Sequence, residues 1–143
     1  MENSPPEFDF SSTYLMEVNQ FCTTALTSNM IRASDYESHD SDLIFNITTK
    51  MDENVNGVIV STDDRDQPIF SFRQNDLWEL KIAYKPPAHA SDQERTYSFD
   101  VQAVDTEGST SNTISFIVVV YPMYTFAPVV YKNTGLILYQ VNS

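Results

Sequence analysis

One cysteine, three glycines and eight basic residues against twenty acidic ones are the scarcities of this chain, and each excludes something. With a single cysteine no intramolecular disulfide framework exists, so the fold must rest on burial. Cys22 then reads as a small semi-buried residue, with a nucleophile or an intermolecular link as the alternatives. The few glycines form no phosphate-cradling loop and no G-x-S-x-G elbow. Two histidines, His39 and His89, lie in polar loops with no third metal ligand at a recognisable spacing, so catalysis is not expected. A net charge of -12 with a pI near 4.2 repels nucleic acid and anionic membrane surfaces, while divalent cations and basic proteins remain open as partners. No apolar run approaches the roughly 20 residues that would span a bilayer. The start, M-E-N-S-P-P-E-F-D-F, lacks both a basic and an apolar leader region, so the sequence as written carries no secretory signal.

What is present is alternation. Tyr97, Phe99, Val101 and Ala103 are interleaved with Ser98, Asp100 and Gln102, the period-two pattern of a half-buried strand. After a polar turn holding Gly108, Ile114, Phe116, Val118 and Val120 repeat it with β-branched residues that pack well on a pleated surface. Ile117, Val119 and Tyr121 make the second face apolar too, which predicts a long antiparallel hairpin at the heart of a β-sandwich. A chain of 143 residues, 41% hydrophobic, suffices for one domain with a real core.

Taken in order, residues 1 to 9 read as an extended polar lead, Tyr14 to Val18 as a strand, and Thr23 to Leu26 as a short second one. Thr27 or Ser28 could cap a helical turn that sends Ile31 inward. Residues 35 to 42 are an acidic loop, and Leu43, Phe45 and Ile47 alternate in the next strand. Gly57 to Val60 and Pro68 to Phe72 read as hairpin arms around S-T-D-D-R-D-Q, residues 73 to 78 as a helical turn, and Glu79 to Tyr84 as a strand stopped by Pro86-Pro87. The expected fold is therefore all-β, an immunoglobulin-like sandwich of about seven to eight antiparallel strands. Pro6, Phe8 and Leu15 to Asn19 are echoed by Pro128, Val130 and Leu136 to Asn142. The echo divides the chain into a sandwich over 1–121, a stiff linker at 122–127 and the opening of a following unit at 128–143, with a last strand of the same domain as the alternative.

Three acidic groups could meet at the ends of such a sandwich, with Asp35, Asp63 and Asp105 as their leading members. Calcium takes six to eight oxygens from flexible loops, so a calcium site is weighed against a solvated acidic surface. Asn46 opens the glycosylation sequon Asn46-Ile47-Thr48. With ten asparagines and 28 serines or threonines about two such triplets would arise by chance, so the motif alone says little. Trp78 reads as core or, with Tyr84, as part of a sugar-binding face. In F-R-Q-N-D-L, residues 72 to 77, Asp76 is expected to accept backbone hydrogen bonds and Gln74 to tie the turn to a neighbouring strand.

These pieces together resemble a known module. A-S-D-Y-E-S at 33–38, L-I-F-N-I-T at 43–48, G-V-I-V at 57–60, F-R-Q-N-D-L at 72–77, I-A-Y at 82–84 and Y-S-F-D-V-Q-A-V-D at 97–105 are similar to the CSPG repeat of chondroitin sulfate proteoglycan and the Fraser-syndrome-related extracellular matrix proteins. Asn133-Thr134-Gly135-Leu136 resembles the start of that repeat's next copy. The resemblance implies a cadherin-like sandwich used in tandem, non-catalytic and without a required cofactor. It also implies a place outside the cell or at its surface, where partners are matrix or cell-surface proteins, with no nucleic acid and no membrane insertion. A calcium-dependent, cadherin-like adhesion domain is the alternative, because V-Q-A-V-D-x-E-G resembles the penultimate cadherin strand. The segment 121–128 holds no acidic residue, so the cadherin interdomain calcium motif is not carried over. No Ser-Gly dipeptide is present for glycosaminoglycan attachment.

Overall fold

The computed structural model describes residues 4–122 together with two strands further on, Val129–Tyr131 and Leu136–Leu138. The alternating stretch forms the long hairpin its pattern predicts. Strands β10 (Arg95–Val104) and β11 (Ile114–Tyr121) pair antiparallel from Arg95 against Val120 to Val101 against Ile114, with Phe99 opposite Phe116. In chain order they are preceded by β1 (Glu7–Phe8), β2 (Leu15–Asn19), β3 (Thr24–Ala25), β4 (Ala33–Ser34), β5 (Ile44–Ile47), β6 (Val58–Ser61), β7 (Asp64–Pro68), β8 (Ser71–Arg73), the single-turn helix α1 (Gln74–Trp78) and β9 (Ile82–Lys85). A five-stranded sheet, β2-β11-β10-β5-β8, faces a four-stranded one, β3-β9-β6-β7, and β1 with β4 make a small ribbon.

The inward residues of both sheets share one apolar cluster. Met16 and Val18 of β2, Phe45 of β5, Ile59 and Val60 of β6, Tyr84 of β9, Phe99 and Val101 of β10, and Phe116 and Val118 of β11 are all buried in it. The Tyr84 ring meets Phe99 edge-on at 5.9 Å and so joins the two sheets, while Phe45 lies 5.7 Å from Phe72 within the five-stranded sheet. Tyr84 also dictates a glycine. Its hydroxyl donates to the Asn56 carbonyl at 2.5 Å, and a Cβ on Gly57 would press on that hydroxyl and lie 2.7 Å from the Lys85 carbonyl, at a backbone φ of +82°.

The all-β sandwich is as expected, but several details differ. Eleven strands, not seven or eight, lie between Glu7 and Tyr121. β1, β3 and β4 are two residues long, too short for a period to register. The second hairpin arm is not Pro68 to Phe72. The charged turn itself, Asp64–Pro68, pairs with β6 through a bulge, and Phe72 crosses to the other sheet beside β5. Exposed charges and a proline suit β7 because it is an edge, where they discourage pairing with other chains.

The third difference is that β2 runs parallel to β11, Leu15 beside Ile117 through Asn19 beside Tyr121. Parallel neighbours need a long crossover, and the whole chain between them serves as one. With β2 as the sheet edge, Ile117, Val119 and Tyr121 on the outer face of β11 are half-buried rather than covered on both sides. Trp78 is neither core nor a partner of Tyr84. It is 44% exposed at the end of α1, whereas Tyr84 is fully buried. Thr27 accepts from the Met30 N–H in a turn that does bury Ile31, though no helix forms there. Beyond Pro122 the linker expected to 127 lies outside the described residues. Of 128–143 only an antiparallel pair, β12 (Val129–Tyr131) with β13 (Leu136–Leu138), is described.

Candidate functional site

The F-R-Q-N-D-L element builds a dense polar arrangement around a buried amide. α1 opens because the Asp76 carboxylate reaches back to accept the Arg73 N–H at 3.1 Å, satisfying a donor at the helix start. It closes in a Schellman arrangement, with Leu80 N–H to Leu77 O at 3.0 Å and Lys81 N–H to Asp76 O at 2.9 Å, and Leu80 takes the left-handed position at φ +57°. Between these ends sits Gln74, fully buried. Its Nε2 donates to the carbonyls of Ala33 at 2.9 Å and Asp40 at 2.7 Å, and its Oε1 accepts the Ala33 N–H at 2.9 Å. One side chain thus fastens β4, the 3-10 turn at Asp40–Asp42 and α1 together. A-S-D at 33–35 and F-R-Q-N-D-L at 72–77, distant in sequence, are two halves of this latch.

The acidic loops converge only in part. Asp35 Oδ2 accepts the Ser38 N–H at 3.0 Å, and the Ser38 hydroxyl meets Thr106 Oγ1 at 2.9 Å, which brings the 35–38 loop against the 105–109 turn. Asp105, itself buried, shapes that turn by accepting the N–H groups of Glu107 and Ser109, both at 2.9 Å. Asp63 is elsewhere, in the exposed turn between β6 and β7, where its charge acts on the Lys81 ammonium. A groove of about 520 Å³ beside Asp35 is lined by Ser4, Pro5, Glu7, Ser34, Tyr36 and Asp40. Among the described residues no three of His, Cys, Asp and Glu are grouped to hold a metal ion. The carboxylates of Asp35 and Asp105 accept local N–H groups, the loop-shaping use of short acidic side chains.

Perturbed titrations fall away from these loops. Burial pushes the Tyr14 phenol up to about 12, helped by the nearby Asp9 charge, and the Tyr14 hydroxyl donates to the Asp9 carbonyl. Burial also raises Tyr84. Glu79 is held low and Lys81 high by their mutual contact at 2.6 Å. All are explained by packing or an exposed pair, and none marks an acid or base poised for chemistry. His39 and His89 are both exposed, and His89 lies against Arg95 at 3.2 Å. Cys22 is free and half-buried.

Asn46 projects from the outer face of β5, half-buried, between Gln102 of β10 and Ser71 of β8. On the β2 side of the same face, Leu15 is 37% exposed next to Ile117. The exposure of Trp78 and Leu80 was not readable from their flanking residues, because α1 is one turn long and shows no helical stripe.

Two packed sheets, a latch between distant segments and turns shaped by aspartates define a cadherin-like β-sandwich module. The chain belongs to the cadherin-like family, whose model matches residues 9–120. Its relatives include FRAS1-related extracellular matrix protein 2 of Homo sapiens, 51% identical over 142 residues, which are 99% of this chain and 4% of that protein. Extracellular matrix protein 3 of Lytechinus variegatus is 49% identical over 99% of this chain and 5% of its own length. FRAS1-related extracellular matrix protein 1 of Homo sapiens is 30% identical over 99% of this chain and 6% of its own. The chain therefore spans only 4 to 6% of the length of these relatives. A solved structure, the SrpA adhesin of Streptococcus sanguinis, overlays 90% of this chain and 63% of its own at TM-score 0.40 and 15% identity, too loose an overlap to carry an argument.

Proposed function

We propose that this chain is a non-catalytic module of an extracellular matrix protein, one unit of a tandem array whose exposed strands and loops make protein–protein contacts. The observation that supports it most directly is similarity over 99% of this chain to matrix proteins of which it represents only a twentieth or so. A module repeated along a much longer chain explains that ratio. The array reading is supported by the echo of the opening residues at 128–143, and it sets the unit at 1–121 with a linker at 122–127. The partners are matrix or cell-surface proteins, and the acidic surface favours basic ones.

The test is localisation of the native gene product with an epitope tag inserted after Asp63, at the exposed tip of the β6–β7 turn. Tag recovered in the detergent-insoluble matrix outside cells, in a polypeptide carrying further copies of the module, is the expected result. A tag confined to cytosol, on a polypeptide with no neighbouring copy, would overturn it.

A further inference from the structure

We propose that Asn46 is an N-glycan acceptor and that its glycan stands on the β5–β8 half of the outer face of the five-stranded sheet. The sequon Asn46-Ile47-Thr48 is the single N-x-S/T triplet, with x not proline, in the 143 residues. Taken alone the triplet is weak. Its placement adds three things the sequence did not hold.

First, the burial pattern of β5 alternates, with Phe45 and Ile47 inward and Ile44 and Asn46 outward, so a glycan on Asn46 leaves the core undisturbed. Second, the fold makes no use of the residue. Asparagine is a poor strand former, yet it occupies the interior of a strand flanked on both sides. Among the described residues its amide makes no hydrogen bond with a neighbour. Gln74 and Asp105, by contrast, are put to structural work. Third, the immediate neighbours of Asn46 are compatible with a sugar: Gln102 and Ser71 flank it, and Asp100 follows on the same face of β10, whereas Ile44 with Val104, and Leu15, Ile117 and Val119 on the β2–β11 side, are apolar.

The chemistry is transfer of an oligosaccharide from a polyprenyl diphosphate. Asn46 Nδ2 forms a bond to the anomeric carbon, the bond from that carbon to the diphosphate oxygen breaks, the lipid diphosphate leaves, and the amide proton passes to a base of the transferring enzyme. The Thr48 hydroxyl is the recognition group two residues on. In the folded sheet that hydroxyl donates to the Asp100 carbonyl at 3.3 Å, so transfer precedes the pairing of β5 with β10. Once attached, the glycan keeps protein partners off the β5–β8 half of the sheet.

This inference rests on the extracellular reading, since only a chain entering the secretory route meets the transferring enzyme. The experiment separates the two by supplying the route. The full 143-residue chain is secreted from animal cells behind a heterologous leader, and the medium is treated with peptide-N-glycosidase. Expected are a downward gel shift and conversion of Asn46 to aspartate on mass spectrometry of its peptide. Asn46→Gln and Thr48→Val should each abolish the shift, and Thr48→Ser should keep it, all three secreted with the parental melting temperature. Secreted, folded protein with an unmodified Asn46, or a shift that survives Asn46→Gln, would overturn the proposal. Either result leaves the native localisation to be decided by its own test.

Discussion

Gln74 shows how much one buried amide can hold. Replacing it by alanine leaves the Ala33 N–H and the Ala33 and Asp40 carbonyls without their partner, and each buried group so orphaned costs about 1 to 3 kcal/mol. Allowing for relaxation, Gln74→Ala should destabilise the chain by roughly 3 kcal/mol, read as a lower urea midpoint at unchanged slope. A loss below about 0.5 kcal/mol would mean the latch is slack. Tyr84 gives a second test at this scale. Its folded-state phenol is raised by burial, so the folded chain keeps a proton that the unfolded chain releases near its ordinary pKa of about 10. Its contribution is fully present below that pH and is lost as pH climbs toward the folded value. Tyr14, pushed up to about 12, acts in the same direction. Stability should therefore fall on raising the pH above about 10, and Tyr84→Phe should make that decline shallower.

At the scale of elements, α1 is the place where local preference and tertiary demand disagree. Its last turn ends in a left-handed residue, the position glycine usually fills, and Leu80 occupies it while 54% exposed. A side chain there costs about 1 to 2 kcal/mol of backbone strain, against somewhat under 1 kcal/mol for the extra freedom glycine has when unfolded. Leu80→Gly should raise stability by a few tenths to about 1 kcal/mol, measured by thermal melting. If the variant melts lower, Leu80 packs against something that stabilises it. β7 illustrates a different disagreement. Asp64, Arg65 and Asp66 read as loop by composition, but an edge strand needs only backbone partners on one side, and charge there is protective.

For the whole molecule the question is what twenty carboxylates do. Asp35 and Asp105 come to neighbouring loops but accept N–H groups of their own turns, and Asp63 lies across the surface near Lys81. We expect millimolar calcium to leave the melting temperature of the chain unchanged, since an ion that binds the folded state must raise it. A clear upward shift with measurable heat on titration would instead support a calcium-dependent adhesion domain. An acidic surface attracts basic proteins at long range, so any contact with one should weaken as salt is raised.

Alternation by itself determined the all-β class and the long hairpin, because a period of two fixes the buried face of each strand, and a one-residue slip from the pairing of Phe99 with Phe116 would turn one strand's apolar set outward. The turn chemistry of F-R-Q-N-D-L was legible for the same local reason: Asp76 caps within three residues of itself. The parallel pairing of β2 with β11, the crossing of Phe72 to the opposite sheet and the exposure of Trp78 were settled only by tertiary structure. Each depends on which distant strand arrives alongside, and side-chain periodicity states a face without naming a neighbour. The acidic loops belong to the same class. Charge along the chain marks them as solvated, but whether Asp35, Asp63 and Asp105 meet is decided by how the two sheets stack, which no local pattern encodes.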